Sequence, residues 1–363
     1  RTFSRNCAGC HATGMEMDWN NDTDGYITEF DYLDLNISCE RCHGPGSAHA
    51  GDSGGLANAI INPALLSPEG ERQVCGQCHA ADHAASKSPA TFSYGYNQAH
   101  ESDVGSGWYV PGVYDINDFI GNLNTDGFVK WPDGKHGRAH RQQYTELNAS
   151  IHTNNPYERL TCATCHSVHS LRGGPDGAVM ESASSEYEFD GHLGLRNNEI
   201  CLSCHVTHGA FEDLTMDDVA ALHVDEGGTV KKDGVAFTPT EADITLSMDA
   251  IADTVVEHMN HGANMGLFVE YDPAEEPGVG SCASCHMPQS AKSGGYTTGR
   301  DQFGDSSLIE GDQASHYFDI IAPQVSAALA ATNHDDLKVM PNSCGKCHAR
   351  YTYSAELPPP PED

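Results

Sequence analysis

Seven Cys-x-x-Cys-His runs use every one of the chain's 14 cysteines. They are Cys7-Cys10-His11, Cys39-Cys42-His43, Cys75-Cys78-His79, Cys162-Cys165-His166, Cys201-Cys204-His205, Cys282-Cys285-His286 and Cys344-Cys347-His348. Two thiols three positions apart can form thioethers to two vinyl groups, and the imidazole that follows can ligate an iron; this is the haem c attachment signature. Zinc knuckles and thioredoxin-like dithiols also use Cys-x-x-Cys. Histidine makes up 21 of 363 residues, so it would follow a given pair by chance about one time in 17. Seven of seven, with no cysteine left over for a disulfide, selects haem c and implies seven haems.

Twenty-one histidines less seven proximal ones leaves 14, enough for a second axial imidazole on every iron. His/His ligation is common in low-potential electron carriers. His49 follows the turn Gly44-Pro45-Gly46, which should aim it at a neighbouring iron. His169 and His208 come three residues after proximal His166 and His205, so one helical turn would set each beside its own haem. His140 opens and His152 closes a stretch that reads as a helix. His258 and His261 end another, whose apolar stripe is Ile244, Met248, Ile251, Val255 and Met259, with Thr240 as cap and Gly262 as stop. His316 precedes the aromatic pair Tyr317 and Phe318. His83 is a weaker version of His169, and His100, His136, His192, His223 and His334 have no comparable context. Methionine is the alternative distal ligand, but most of the nine lie on helix stripes or beside proline.

The elements that must position these groups read as short helices and loops with little strand. Glycine (37) and proline (18) are plentiful, and only 38% of residues are apolar. Seven macrocycles would supply the missing interior, so the expected fold is a multihaem cytochrome c, its helices and loops wrapped around a stacked haem chain. The spacing suggests a five-haem region over 1–205, a helical spacer over 206–281 and a two-haem region with a Pro-rich tail over 282–363, packed as one continuous unit. The tail, Leu357 to Asp363, reads as polyproline. No run of about 18 apolar residues occurs, so no membrane span is expected. The formal charge of −33 disfavours nucleic acid and anionic membrane as partners. Covalent haem attachment takes place outside the cytoplasm. The chain is therefore expected to be exported, extracellular or periplasmic, with its leader already removed. A calcium loop is a further reading of Asn20–Asp31, which matches EF-hand positions with Asn first and Asp last. Asn122–Asp133 repeats that pattern more weakly.

At these residues the chain resembles the multihaem cytochromes related to pentahaem nitrite reductase and to the tetrahaem cytochrome that serves hydroxylamine oxidoreductase. It is most similar to those found with tetratricopeptide repeats. The residues that carry the likeness are Cys10-His11-Ala12-Thr13, the run Leu35 to His49, Trp131-Pro132-Asp133-Gly134, the run Cys162 to His169, Cys285-His286-Met287-Pro288 and Ser315-His316. The resemblance implies closely stacked haem pairs, parallel or perpendicular, and implies His49, His152, His169 and His316 as distal ligands. Departures are plain. No motif replaces its histidine with the lysine of the nitrite reductases. Only 15 residues follow His348, too few for the long dimerisation helices of those enzymes, and no tetratricopeptide repeat occurs. An eighth motif, which the octahaem enzymes require, is missing too. The expected function is electron transfer along bis-histidine haems, as a shuttle or as a subunit of a cytochrome filament. Its partners would be redox proteins, extracellular electron acceptors or further copies of itself. The alternative is a reductase of a small nitrogen or sulfur oxyanion at one five-coordinate haem.

Overall fold

Among the described residues, six of the seven motifs lie on short helices, and these helices organise the chain. The structure, a computed structural model, describes residues 8–20, 26–51, 60–80, 108–119, 130–156, 160–166, 168–169, 179–181, 187–190, 198–225, 230–260, 282–292, 311–322, 325–326 and 340–343. The motif helices are α1 (Ala8–His11), α2 (Cys39–His43), α4 (Pro68–His79), α6 (Cys162–Cys165), α7 (Asn198–His205) and α10 (Cys282–His286). Between them lie α3 (Ser47–Gly51), α5 (Gln143–Ala149), α8 (Met216–Asp225) and α9 (Glu241–Asn260). In α4, Pro68 takes the first helical position and Ser67 Oγ accepts from Gly70 N at 3.1 Å. That cap satisfies a donor the helix itself cannot. Helix α9 starts where the sequence reading put it. Asp243 N donates to Thr240 Oγ1 at 3.2 Å while Asp243 Oδ2 accepts from Thr240 N at 2.9 Å, a reciprocal cap.

Two compact units divide the chain. The first comprises Arg1–Asn154, Ser290–Thr298 and Ile309–Tyr317; the second comprises Asn155–Gln289, Gly299–Leu308 and Phe318–Asp363. In the first unit a core of Ala80, Tyr109, Ile116, Phe119 and Tyr144 joins α4 to α5. Arg72 Nε donates to Asn148 Oδ1 at 2.7 Å across the same pair of helices. In the second unit Leu202 and Val206 at the end of α7, Leu214 ahead of α8, Val219 and Leu222 of α8, and Ile251 and Val255 of α9 form one apolar cluster. Ile251 and Val255 belong to the 3–4 stripe read from the sequence, and both are buried. His223 is buried with them, a core histidine.

Strand content exceeds the expectation in one place. β1 (Ala12–Asn20) and β2 (Tyr26–Leu35) pair antiparallel from Ala12↔Leu35 to Asn20↔Tyr26. A four-stranded antiparallel sheet runs β3 (Val179–Glu181), β4 (Tyr187–Asp190), β5 (Val230–Lys232) and β6 (Val235–Ala236). The short pair β7 (Gln289–Ala291) and β8 (Gln313–Ala314) completes the described strands. Of the run Asn20–Asp31, residues 21–25 lie outside the described residues. An EF-hand flanks its loop with two helices, and here the flanks are paired strands. Of the weaker run Asn122–Asp133, residues 122–129 lie outside the described residues. Its last member, Asp133, caps a turn, accepting from Lys135 N at 2.9 Å and His136 N at 3.1 Å.

Three further local differences are physical. The helix expected to open at His140 begins at Gln143, because Arg141 adopts φ +74° ahead of it. Helix α6 ends at Cys165, with His166 already extended, and α7 ends at His205, so a helical turn carries neither His169 nor His208. Thr207 sits at φ +63° and breaks the second of them.

Candidate haem sites

The hairpin β1–β2 explains how motifs 32 positions apart become neighbours. Its strands return the chain so that Asn36 N donates to His11 O at 2.8 Å. Buried Thr13 completes the joint: its Oγ1 donates to Asn36 O at 2.9 Å and accepts from Ser38 N at 3.0 Å. The end of the first motif is thereby pinned to the cap of the second. The third motif joins them, with the Cys10 and Cys78 thiols in hydrogen-bonding contact. The Cys10 bond, with Arg41 and His79 nearby, draws the Cys78 thiol down to about 6 against its burial, while the same contact and burial raise Cys10. Arg41 donates to Gly9 O, and its own carbonyl accepts from Gln77 Nε2 at 3.0 Å.

Proximal imidazoles are turned by their Nδ1 atoms. His43 Nδ1 meets Ile61 O at 2.7 Å, and Ile61 N donates back to His43 O at 3.0 Å. His286 Nδ1 meets Phe318 O at 3.0 Å. Phe318 adopts φ +66°, a setting that bulky residues avoid, and presents its carbonyl in it. A proton fixed on Nδ1 leaves Nε2 as the free ligand, the usual outer-shell arrangement for a metal-binding histidine. His79 Nδ1 has a longer contact, 3.4 Å to Gln143 Oε1.

His316 is held by a buried carboxylate that the sequence reading missed. Glu146 Oε2 accepts from His316 N at 2.6 Å, and Oε1 accepts from Gly137 N at 2.5 Å. Gln142, one turn earlier on the same face, gives Nε2 to Ala314 O at 3.1 Å. Burial pushes the Glu146 carboxyl up to about 7, against the two backbone donors that hold it down. His316 Nδ1 meets Ala314 O at 3.2 Å. Nearby, Trp131 Nε1 donates to Ser290 O at 2.9 Å and Trp131 N to His136 O at 2.8 Å, closing the turn through Gly134 at φ +72°. His136, with Nδ1 2.5 Å from Asp133 Oδ2, is only 2% exposed and reads as a structural histidine.

In the second unit the fourth, fifth and sixth motifs gather. Cys165 lies near Cys201 and Cys204, and burial pushes its thiol up to about 12. Cys201 and Cys282 share a hydrogen bond, and Cys282 N donates to Asn198 Oδ1 at 2.7 Å. Ser343 Oγ donates to Cys285 O at 2.6 Å and accepts from Ile321 N at 2.9 Å. His205 stands close to His286 and His208, and His208 Nδ1 meets Val206 O at 2.8 Å. The rings of His258 and His286 are parallel to within 9°, with centroids 6.3 Å apart. Phe211 lies against His258 at 5.1 Å.

Of the other expected ligands, His49 sits exposed on α3, His169 is exposed beyond α6, and His140 and His152 are half-buried on either side of α5. Cys7, His261, Cys344, Cys347 and His348 lie outside the described residues. Arg41 and Glu146 gave no motif signal. Arg41 hides inside the second motif as one of its two variable positions, and Glu146 looks like an ordinary helix-surface acid.

The repeated Cys-x-x-Cys-His motifs are those of multihaem c-type cytochromes, and the proteins this chain is similar to are of that kind. Residues 1–44, which span the first two motifs, match the family described as Cytochrome c554 and c-prime. The chain is 25% identical over 204 residues to the multiheme cytochrome MtrA of Shewanella baltica (strain OS185), covering 55% of this chain and 51% of that relative. It thus spans about half the length of the curated relative it matches. Among solved structures it is similar to the outer cell wall cytochrome OcwA, at 23% identity and TM-score 0.44, covering 96% of this chain and 61% of that one. The undecaheme cytochrome from the S-layer of Carboxydothermus ferrireducens gives 19% identity and TM-score 0.35, covering 98% and 45%.

Proposed function

We propose that this chain conducts electrons through seven covalently attached haems, each held between its motif histidine and a second imidazole. The observation that carries this reading is the His258–His286 pair. Metal–nitrogen bonds of about 2 Å on opposite sides of one iron set two coplanar imidazole centres about 6 Å apart. The observed 6.3 Å and 9° fit that spacing and are too wide for face-to-face stacking. Bound haem supplies an iron that changes by one electron between ferric and ferrous states. The protein's own residues fix where that happens. His43 and His286 are oriented by the Ile61 and Phe318 carbonyls, His316 by Glu146 and Ala314. His49, His140, His152, His169, His208, His261 and His316 are the remaining distal candidates, drawn from the sequence.

Two imidazoles on each iron leave no position for substrate, so conduction is favoured over reduction of an oxyanion at an open haem. Lineage with the nitrite reductase relatives, export to the periplasm or beyond, and assembly into filaments belong to the same proposal. Among the described residues no helix is long and apolar enough to cross a membrane. Haem assay against protein mass is expected to give seven per chain, with a fully low-spin ferric spectrum. His258→Ala should keep all seven haems and turn one high-spin. A high-spin iron in the wild type, or no change in H258A, would reject the reading.

A further inference from the structure

The guanidinium of Arg41 is 7% exposed, and its Nε is buried with no hydrogen-bond partner. Among the described residues no salt bridge neutralises it. One terminal nitrogen donates to Gly9 O, and the plane lies over the Trp108 ring, 5.3 Å from its centroid. That ring supports the cation on one side without carrying an opposing charge. Cys10, Cys42 and Cys78, one thiol from each of the first three motifs, all feel the Arg41 charge. In a chain of net charge −33, a buried cation at the meeting point of three attachment motifs needs a purpose. The Cys78 thiol hydrogen-bonds Arg41, but as a haem thioether its sulfur would carry no charge; a buried cation without a counterion is costly, and an open guanidinium edge suits a carboxylate. Haem brings carboxylates of its own, the propionates.

We propose that Arg41 is a fixed cation serving the haems of the first three motifs together: it takes a propionate at its open Nε edge and raises their reduction potentials. This rests on haem attachment as proposed above. The sign follows from charge: reduction removes one positive charge from the iron site, so a nearby cation favours the reduced form. Arg141 adds a second positive charge near Cys10, but among the described residues Arg41 is the cation that acts on a thiol of all three motifs.

The test is spectroelectrochemical titration of the intact haem-loaded chain, with haem on each motif peptide checked by mass spectrometry. Arg41→Gln should move at most three haems' worth of the absorbance change to lower potential. Arg41→Lys keeps the charge and should load fully and titrate as the wild type does. A loaded R41Q with an unmoved titration overturns the proposal. So does an R41K that loads poorly or shifts downward, and R41K alone decides if R41Q fails to load. Absence of haem from the first three peptides of the wild type would instead defeat the proposed function itself.

Discussion

Glu146 shows how one side chain sets the terms for its surroundings. Both of its oxygens accept backbone N–H groups, from Gly137 and His316, so the ionised form is the one the fold is built to hold. Burial opposes ionisation and wins, leaving the carboxyl at about 7 where an ordinary one titrates near 4.5. The unfolded chain therefore releases this proton near 4.5 and the folded chain near 7, so between those values the folded state binds more protons. Stability then falls as pH rises through that window, by on the order of 3 kcal/mol if the full difference is expressed. Glu146→Gln removes the titration and loses one acceptor, a constant cost of about 1–3 kcal/mol. Denaturant unfolding of wild type and E146Q between about pH 4 and 8 is expected to show a pH-dependent gap. A gap that stays constant over this range would contradict the assignment.

At the scale of elements, the joint between α4 and α5 depends on one position inside the third motif. Gly76 stands between Cys75 and Cys78, and a Cβ there would lie 2.8 Å from Tyr144 Cδ2 and 2.9 Å from Cε2. In an open helix Gly→Ala stabilises by about 0.5–1 kcal/mol. Here the buried ring is 3% exposed and has nowhere to retreat, so overpacking of about 1–3 kcal/mol should win. Gly76→Ala is expected to lower the unfolding midpoint, and an unchanged or raised midpoint would mean that α5 does not pack there. Much of this level was legible beforehand. The apolar stripe and Thr240 cap of α9 follow from local periodicity and capping, which act within a few residues. The hairpin from Ala12 to Leu35 was not legible, because its pairing is non-local and its acidic turn also fits a cation loop. Nor were the stops before His169 and His208: extended His166 ends the first helix, and left-handed Thr207 overrides continuation of the second. For the site, the motif histidines declare themselves by spacing. The carbonyls of Ile61 and Phe318, by contrast, arrive from 18 and 32 positions away, and no local pattern marks them.

Across the whole molecule the dominant fact is charge: 52 acidic residues stand against 19 basic ones. Exposed charges of this density act at a distance when salt is low and fade as the screening length shrinks, from about 30 Å at 10 mM to about 8 Å at 150 mM. Lys232 and Lys292 pair with Asp217 and Asp312, each pair cancelling locally and leaving the acidic excess to set the field. Under the proposed function, a protein with such a surface would meet its partners by long-range steering, which alters encounter rates more than final affinity. Electron exchange with a cationic redox protein should therefore slow on the order of tenfold or more between those two salt levels. Exchange with an anionic mediator should speed up over the same range, because repulsion is what limits it. Stopped-flow measurements with one partner of each sign, at matched driving force, make the comparison. Parallel salt profiles for the two partners would show that electrons leave through a surface shielded from the net charge. Opposite slopes would place the exit where the acidic field governs approach, and would define the conduit's natural partners as cationic.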